Sequence, residues 1–223
     1  MAALSATLRK PYLGIQMEGP IARWYARTTG RDTRRYLHSA RAIADQLPPG
    51  SRVLEVAPGP GYLAIELARR GFEVAGVDIS RSFVRMATDN ARRAGLSIAF
   101  RHGDAAHLPF ADQSFDYVVC RAAFKNFADP LAALNEAHRV LKPAGQASIF
   151  DLRKDASPEA IDAAVRDMHL APINALLTRW TFDLMLLKRA YTPHDLERLV
   201  SHSRFGRGEI VPDGIGFELR LAR

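Results

Sequence analysis

Two glycines and a distant carboxylate have the types and spacing of a ligand site. The apolar run Val53–Ala57 leads into a turn that holds Gly59 and Gly61, and a helical pattern begins at Tyr62. Such a turn lets a ligand approach the backbone, and the helix amides favour a negatively charged group. Asp78, at the end of the next apolar run, lies where dinucleotide sites place the acid that binds ribose. These residues predict a nucleotide-like ligand.

The glycine turn alone leaves the type of ligand open. Residues 59–64 fit the loose G-x-G-x-x-A form of a dinucleotide site. An NAD(P)-dependent oxidoreductase is therefore one interpretation, and the rest of the chain must separate it from others.

Alternating short apolar runs and amphipathic stretches must position these residues. This order predicts βαβ units and a parallel sheet. The predicted strands are Val53–Ala57, Glu73–Asp78, Ile98–Arg101, Phe115–Cys120 and Gln146–Asp151, and the predicted helices are Tyr62–Arg70, Ser82–Ala94 and Pro130–Leu141. A turn at 142–145 should separate the last helix from the last of these strands.

Other segments flank this alternating region. Residues 1–47 have helical patterning and predict an N-terminal cap, so residues 48–223 would form the main domain. A helical insertion is predicted at about 155–190, where Ser157 and Pro158 start a helix and a later apolar stretch could line a pocket, form a core or make a dimer contact. Residues 205–211 and 216–221 predict a final hairpin.

Composition limits the class of protein. The chain has 223 residues, 48% of them hydrophobic, and a formal charge of +7. One cysteine, Cys120, excludes an internal disulfide and a cysteine metal cage. We expect no membrane span, no secretory segment and a cytoplasmic location. The basic residues are dispersed, so nucleic acid is an unlikely partner, although an RNA-associated enzyme is an alternative.

A second set of motifs follows the glycine turn in a fixed order. They are Gly76-Val77-Asp78-Ile79-Ser80, Gly103-Asp104-Ala105 with Leu108-Pro109-Phe110, the strand Phe115–Cys120, and the segment 136–145 before an apolar strand. Over about Arg52–Asp151 the chain resembles the class I S-adenosylmethionine-dependent methyltransferases. The resemblance implies an α/β fold with a doubly wound, seven-stranded, mostly parallel sheet, helices on both faces and an antiparallel last strand.

The resemblance also implies a cofactor, S-adenosylmethionine, and residues that bind it. Gly59 and Gly61 would let the backbone pass close to the methionine part, and Glu55 would organise the loop or reach the amino group through water. Asp78 would accept hydrogen bonds from the ribose hydroxyls. The remaining expected cofactor contacts are Ala57, Ile79 on the adenine face, Asp104 at the adenine amino group, Ala105, Arg121 and Tyr25.

Ala57 departs from the family pattern, which usually has glycine at this position. Alanine is expected to adopt ordinary backbone angles here, so its methyl group would narrow the site without closing it.

The acceptor side is less well specified. Methyl transfer requires the acceptor to be held in line with the methyl group in the absence of water, and a hydroxyl acceptor also requires a base. The weak candidates for a catalytic role are Tyr12, Tyr25, His38, Lys125 and Asn126. We expect no metal. The predicted enzyme methylates a small lipophilic or aromatic molecule, as a monomer or a homodimer.

Overall fold

The computed structural model describes residues 17–29, 34–167, 178–179 and 186–223. The helices are α1 (Gly19–Thr29), α2 (Arg34–Ala44), α3 (Tyr62–Ala68), α4 (Arg81–Arg93), α5 (Pro130–Val140), α6 (Pro158–Asp167) and α7 (Pro193–His202), with short helical turns at Phe124–Asn126 and Leu187–Arg189. The strands are β1 (Arg52–Val56), β2 (Glu73–Asp78), β3 (Ala99–His102), β4 (Phe115–Arg121), β5 (Leu141–Leu152), β6 (Glu209–Asp213) and β7 (Gly216–Ala222).

The seven strands of the described residues form one sheet in the order β3-β2-β1-β4-β5-β7-β6. Strands β1 to β5 pair in parallel, whereas β7 lies antiparallel between β5 and β6. The predicted mostly parallel sheet with an antiparallel last strand is confirmed. This order differs from the 3-2-1-4-5-6 order of the dinucleotide-binding fold, which argues against the oxidoreductase interpretation.

Helices cover both faces of the sheet. On one face, α2, α3 and α4 enclose a buried cluster that includes Ile43, Val53 and Leu63. On the other face, α5 and α7 enclose a second cluster that includes Leu54, Leu134 and Leu196. Strands β1 and β4 are therefore buried on both faces, which explains their nearly continuous apolar sequence.

Side-chain caps fix where several helices begin. Ser80 accepts a hydrogen bond from the Phe83 N–H at the start of α4, and Asp129 accepts one from the Ala132 N–H at the start of α5. The expected start at Ser157 is also present, since Ser157 accepts a hydrogen bond from the Ala160 N–H. At the start of α7, Thr192 forms a capping box with Asp195.

Two expected boundaries are wrong. The turn predicted at 142–145 lies inside β5, which begins at Leu141 directly after α5 and pairs with β4 across a register shift. Ala144, with a φ of 62°, takes up the irregularity in the strand without ending it. The strand predicted at 205–211 starts later, at Glu209. Most of the apolar stretch predicted in the insertion lies outside the described residues.

A glycine in β2 makes room for an aromatic ring from β3. A Cβ atom at Gly76 would lie 2.5 Å from Cδ1 of Phe100, and one at Gly61 would lie 3.1 Å from Cζ of the same ring. Phe100 therefore packs directly on the backbone of β2 and on the glycine turn. The same ring therefore contacts both strand β2 and the glycine turn.

Gly76→Ala should lower the free energy of unfolding by about 1–3 kcal/mol, because the added methyl group overlaps the Phe100 ring. Urea denaturation measures this loss. The cost should be smaller in a Phe100→Leu background, which serves as the control. An equal cost in both backgrounds would contradict the contact.

Candidate active site

The glycine turn joins β1 to α3 and forms one wall of a cavity of about 610 Å³. Gly59 has a φ of 55°, and a Cβ atom there would meet nothing within 4 Å, so its backbone faces open space. Gly61 has a φ of 81°, but a Cβ atom there would lie 2.9 Å from Cβ of Ala87 in α4. Gly59 borders the cavity, whereas Gly61 allows α4 to pack closely.

Ala57 contradicts the expectation of ordinary backbone angles. Its φ is 56°, in the left-handed region that disfavours side chains, and its N–H donates a hydrogen bond of 2.8 Å to the Val77 carbonyl. Ala57 also lines the cavity. The expectation is wrong because the backbone of this turn requires a left-handed residue at its first position. Alanine adopts that conformation here at a cost in free energy.

Asp78 connects the end of β2 to the glycine turn. Its side chain is buried, with the residue 5% exposed, and the carboxylate accepts N–H bonds from Gly59 at 3.0 Å and from Ser80 at 2.8 Å. Burial raises the pKa of this carboxyl to about 6, although the two N–H donors partly oppose the shift. Asp78 lines the cavity with lone pairs left to accept further hydrogen bonds.

Glu55 lies beneath the turn, and it is not among the residues that line the cavity. The residue is 3% exposed and accepts a hydrogen bond from the Ala64 N–H in α3. Within the described structure its Oε2 has no hydrogen-bond partner. Burial raises the pKa of Glu55 to about 8, so a nearby positive group would favour its charged form. The positive charge of Arg121 lowers the pKa of Glu55 and so opposes the effect of burial.

A smaller cavity of about 120 Å³ continues from the main one. Ile79, Asp104 and Ala105 line it together with Asn126 and Phe127. Asp104 accepts a hydrogen bond from the Ala106 N–H through Oδ1, so this side chain stabilises a turn in addition to facing the cavity. Ile79 is 56% exposed and lines both cavities, which leaves an apolar surface available to a planar ring.

The N-terminal segment supplies another wall, through Met17, Glu18 and Tyr25. Glu18 accepts hydrogen bonds from the N–H groups of Arg81 and Ser82 and from the Ser82 hydroxyl, and the hydroxyl bond is the main cause that lowers its pKa. It thus caps α4 from 63 residues away. Sequence reasoning missed Glu18, because no local motif links it to α4.

Tyr25 lies in this wall against α4. Its ring meets that of Phe83 edge to face, with centroids 5.7 Å apart. Burial raises the pKa of the hydroxyl, so Tyr25 remains protonated at neutral pH and can donate a hydrogen bond.

The opposite wall follows β4. Arg121, Ala122, Ala123, Asn126 and Phe127 line it. The Arg121 guanidinium donates a 2.9 Å hydrogen bond to the Ser39 hydroxyl of α2, and burial lowers its pKa. Ala122 has a φ of 58°, and its N–H donates to the Phe150 carbonyl of β5.

Lys125 does not line the cavity. Its ammonium makes a 2.7 Å ion pair with Asp151 and donates a hydrogen bond to the Ala122 carbonyl, while Asp151 also accepts the Lys125 N–H. Both side chains are almost fully buried. Lys125 therefore holds the loop after β4 in place, and its charge is already neutralised by a partner.

Of the two remaining candidates, only His38 can be placed, and it is not among the residues that line the cavity. His38 lies exposed on α2, and Tyr12 lies outside the described residues. Among the described residues, no group of three or more His, Cys, Asp or Glu side chains could hold a metal ion. Nor does any helix described here have the length and apolar character needed to cross a membrane.

Comparison with known proteins finds a family match over part of the chain. Residues 54–149, less than half of the chain, match the family described as "Methyltransferase domain". The whole fold resembles that of a structure described as a putative S-adenosylmethionine-dependent methyltransferase from Methanococcus maripaludis. Its TM-score is 0.70 at 20% identity, with 94% of this chain and 97% of that chain covered.

Curated relatives share part of the sequence. A demethylmenaquinone methyltransferase from Deinococcus radiodurans is 43% identical over 108 residues, which cover 48% of this chain and 45% of that protein. A 2-phytyl-1,4-naphtoquinone methyltransferase from Synechococcus elongatus is 38% identical over 116 residues, or 49% of each chain. The chain therefore matches about half the length of these relatives.

The cavity fits S-adenosylmethionine, the cofactor that the sequence motifs predict. Asp78 offers acceptors for a ribose, Gly59 leaves open space beside the backbone, and Ile79 offers an apolar surface for a base. The Arg121 guanidinium on the cavity wall matches the carboxylate of a methionine end, whereas Glu55, buried beneath the turn and outside the lining, can meet the ammonium only through water.

The affinity for S-adenosylhomocysteine should fall about tenfold for each pH unit below 6, because protonated Asp78 loses an acceptor. The contribution of Asp78 is present above its raised pKa and is lost as the pH falls through about 6, whereas Glu55, whose pKa is about 8, adds a separate loss at higher pH. Calorimetric titration between about pH 7.5 and pH 5 measures it.

Asp78→Asn should weaken binding about 10-fold to 100-fold, since its amide must point a donor at an N–H of the turn. It should also remove the part of the pH dependence that is centred near pH 6. Asp112→Asn, an exposed change elsewhere, is the control. NADH should not bind. An unchanged dissociation constant in Asp78→Asn would remove Asp78 from the ribose site.

Ala57→Gly should raise the free energy of unfolding by up to about 1 kcal/mol, because it relieves the left-handed alanine at some entropic cost. Urea denaturation measures it. Ala163→Gly, in the middle of α6, should instead lower stability by about 1 kcal/mol. A destabilised Ala57→Gly variant would mean that the turn is not strained.

Proposed function

We propose that the chain is an S-adenosylmethionine-dependent methyltransferase whose acceptor is a lipophilic aromatic molecule of the quinol type. The observation that carries the proposal is the single cavity of about 610 Å³, in which Asp78 and Gly59 lie across from Ala122, Asn126 and Phe127. Cofactor and acceptor would thus meet in one space. The names of the curated relatives, which are quinone methyltransferases, support an acceptor of this class.

The proposed roles on the cofactor side follow the contacts described above. Asp78 binds the ribose, Ile79 packs on the adenine, and Asp104 and Ala105 bind its edge. Arg121 pairs with the methionine carboxylate, and Glu55 reaches the ammonium through water. S-adenosylmethionine supplies a methyl group that is reactive because its sulfur is positively charged.

The chain's own residues then have to hold the acceptor and exclude water. In-line transfer requires the acceptor atom about 3 Å from the methyl carbon. Phe127 and the two alanines after β4 give an apolar surface for a ring, and the Asn126 amide can donate hydrogen bonds to ring oxygens.

The described residues of the wall after β4 include no carboxylate or imidazole, whereas Glu18, Asp78 and His102 line other parts of the cavity. An acceptor held against the wall after β4 therefore has to be a good nucleophile by itself. A quinol ring meets this requirement, since its hydroxyl oxygens donate electron density to the free ring carbon. That carbon would form its bond to the methyl group as the bond from the methyl group to sulfur breaks, and the proton on the ring carbon would then leave to solvent, which restores the aromatic ring. A simple alcohol does not meet the requirement, because it would need a base.

The N-terminal cap of residues 1–47 is proposed to complete this site from outside the main domain of residues 48–223. Met17, Glu18 and Tyr25 on the cavity wall support this division.

The direct test is to incubate the purified chain with S-adenosylmethionine and a reduced 1,4-naphthoquinone that has a short isoprenoid chain and a free neighbouring carbon. S-adenosylhomocysteine and a methylated naphthoquinol should form together, as measured by mass spectrometry. Ala123→Leu should raise the KM for the naphthoquinol at least about tenfold without changing the affinity for S-adenosylhomocysteine, because it fills only the acceptor side.

Ala111→Leu, on an exposed loop away from both cavities, is the matched control. Turnover with simple amines or RNA but not with the naphthoquinol would contradict the proposed acceptor while leaving the methyltransferase domain intact.

A further inference from the structure

The exposed face of the N-terminal helices combines apolar and basic side chains. Four large hydrophobic residues are exposed among the described parts of the chain, and three of them lie on α1 and α2. They are Ile21 at 43%, Trp24 at 66% and Leu37 at 41%. The fourth, Ile79, lies inside the cavities. Within the part of the chain that the structure describes, the large apolar side chains that face solvent outside the cavities therefore lie on these two helices.

Helical spacing places basic side chains beside these apolar ones. On α1, Ile21 and Trp24 are three residues apart, and the exposed Arg23 and Arg27 are four apart. On α2, the exposed Arg34, Leu37, His38 and Arg41 follow the spacing i, i+3, i+4 and i+7, which places them on one face. Neither helix contains an acidic residue.

The two helices both contact Tyr62, and α1 also borders the cavity. The Tyr62 hydroxyl donates to the Ala26 carbonyl of α1, and the Tyr62 ring packs on Tyr36 of α2 with centroids 5.4 Å apart. Tyr25, the neighbour of Trp24 in sequence, lines the cavity. Helix α1 therefore has one side on the cavity and another side in solvent.

We propose that this face, formed by Ile21, Arg23, Trp24, Arg27, Arg34, Leu37 and Arg41, docks the protein on a membrane surface that carries anionic phospholipids. Tryptophan and aliphatic side chains partition into the interfacial region of a bilayer, and arginines pair with phosphate headgroups. Nucleic acid would explain the arginines but not the exposed Ile21 and Leu37.

Docking through this face would place the cavity next to the bilayer. A lipophilic acceptor dissolved in a bilayer could move into the cavity alongside α1 without crossing water. This part of the inference rests on the proposed function, whereas docking itself does not, and the two can therefore fail separately.

The test measures binding of the full chain to vesicles by co-sedimentation, with no substrate present. Vesicles made of equal parts phosphatidylcholine and phosphatidylglycerol should bind the protein, and vesicles of phosphatidylcholine alone should bind it at least about tenfold more weakly. Trp24→Ser should also weaken binding to the anionic vesicles, because it removes the largest apolar side chain of the face.

Charge reversal separates this face from the general basic charge of the chain. Arg23→Glu/Arg27→Glu should lower the partition coefficient on anionic vesicles at least about tenfold. Arg198→Glu/Arg204→Glu, on and just after α7 at the other face of the sheet, changes the net charge equally and should have little effect. The affinity of both variants for S-adenosylhomocysteine should equal that of the unaltered chain.

Three results would overturn the proposal. They are absence of binding to anionic vesicles, an equal loss in both double variants, and binding of RNA by the α1 face in preference to vesicles. A dimer that dissociates on Trp24→Ser, together with no vesicle binding, would assign the face to a second copy of the chain.

Discussion

The carboxylate of Asp78 holds the site together. It accepts N–H bonds from the turn after β1 and from the start of α4, so one side chain joins the ends of two strands and the beginning of a helix. Burial opposes its charge, and the raised pKa records this cost. The protein keeps this buried carboxylate where the hydroxyls of a ribose would donate further hydrogen bonds to it.

Two neighbouring strands end in strained loops that border the same cavity. Ala57 follows β1 and Ala122 follows β4, both are left-handed, and each donates its N–H to a carbonyl of the adjacent strand. The second loop has an additional restraint, the buried pair of Lys125 and Asp151. Because each loop is tied to the sheet, the cavity walls are defined by strand positions more than by the loops' own preferences.

Much of the fold and of the cofactor side could be predicted from the sequence. Strand β2 was predicted with its observed bounds, because a buried parallel strand is nearly all apolar and ends at a turn. Asp78, Gly59, Ile79, Asp104 and Ala105 were predicted through ordered motifs, and the structure places all of them on the two cavities. These residues are close in sequence to the strand ends that position them.

The rest depended on contacts that sequence does not record. Glu18 caps a helix 63 residues away, and Lys125 is neutralised by Asp151 on another strand. Ala57 looked ordinary because a residue's type does not reveal its φ. The start of β5 was missed because 142–145 contain turn residues, while pairing with β4 holds them in the sheet.

The exposed side chain of Ile79 has a thermodynamic consequence. More than half of its surface contacts solvent, in a cavity whose other walls are largely apolar. A purine ring that covers it removes this apolar surface from water, and such burial lowers the heat capacity of the system. The enthalpy of ligand binding must therefore become more favourable as temperature rises. The shares of enthalpy and entropy in the binding free energy thus change with temperature even where the affinity hardly changes.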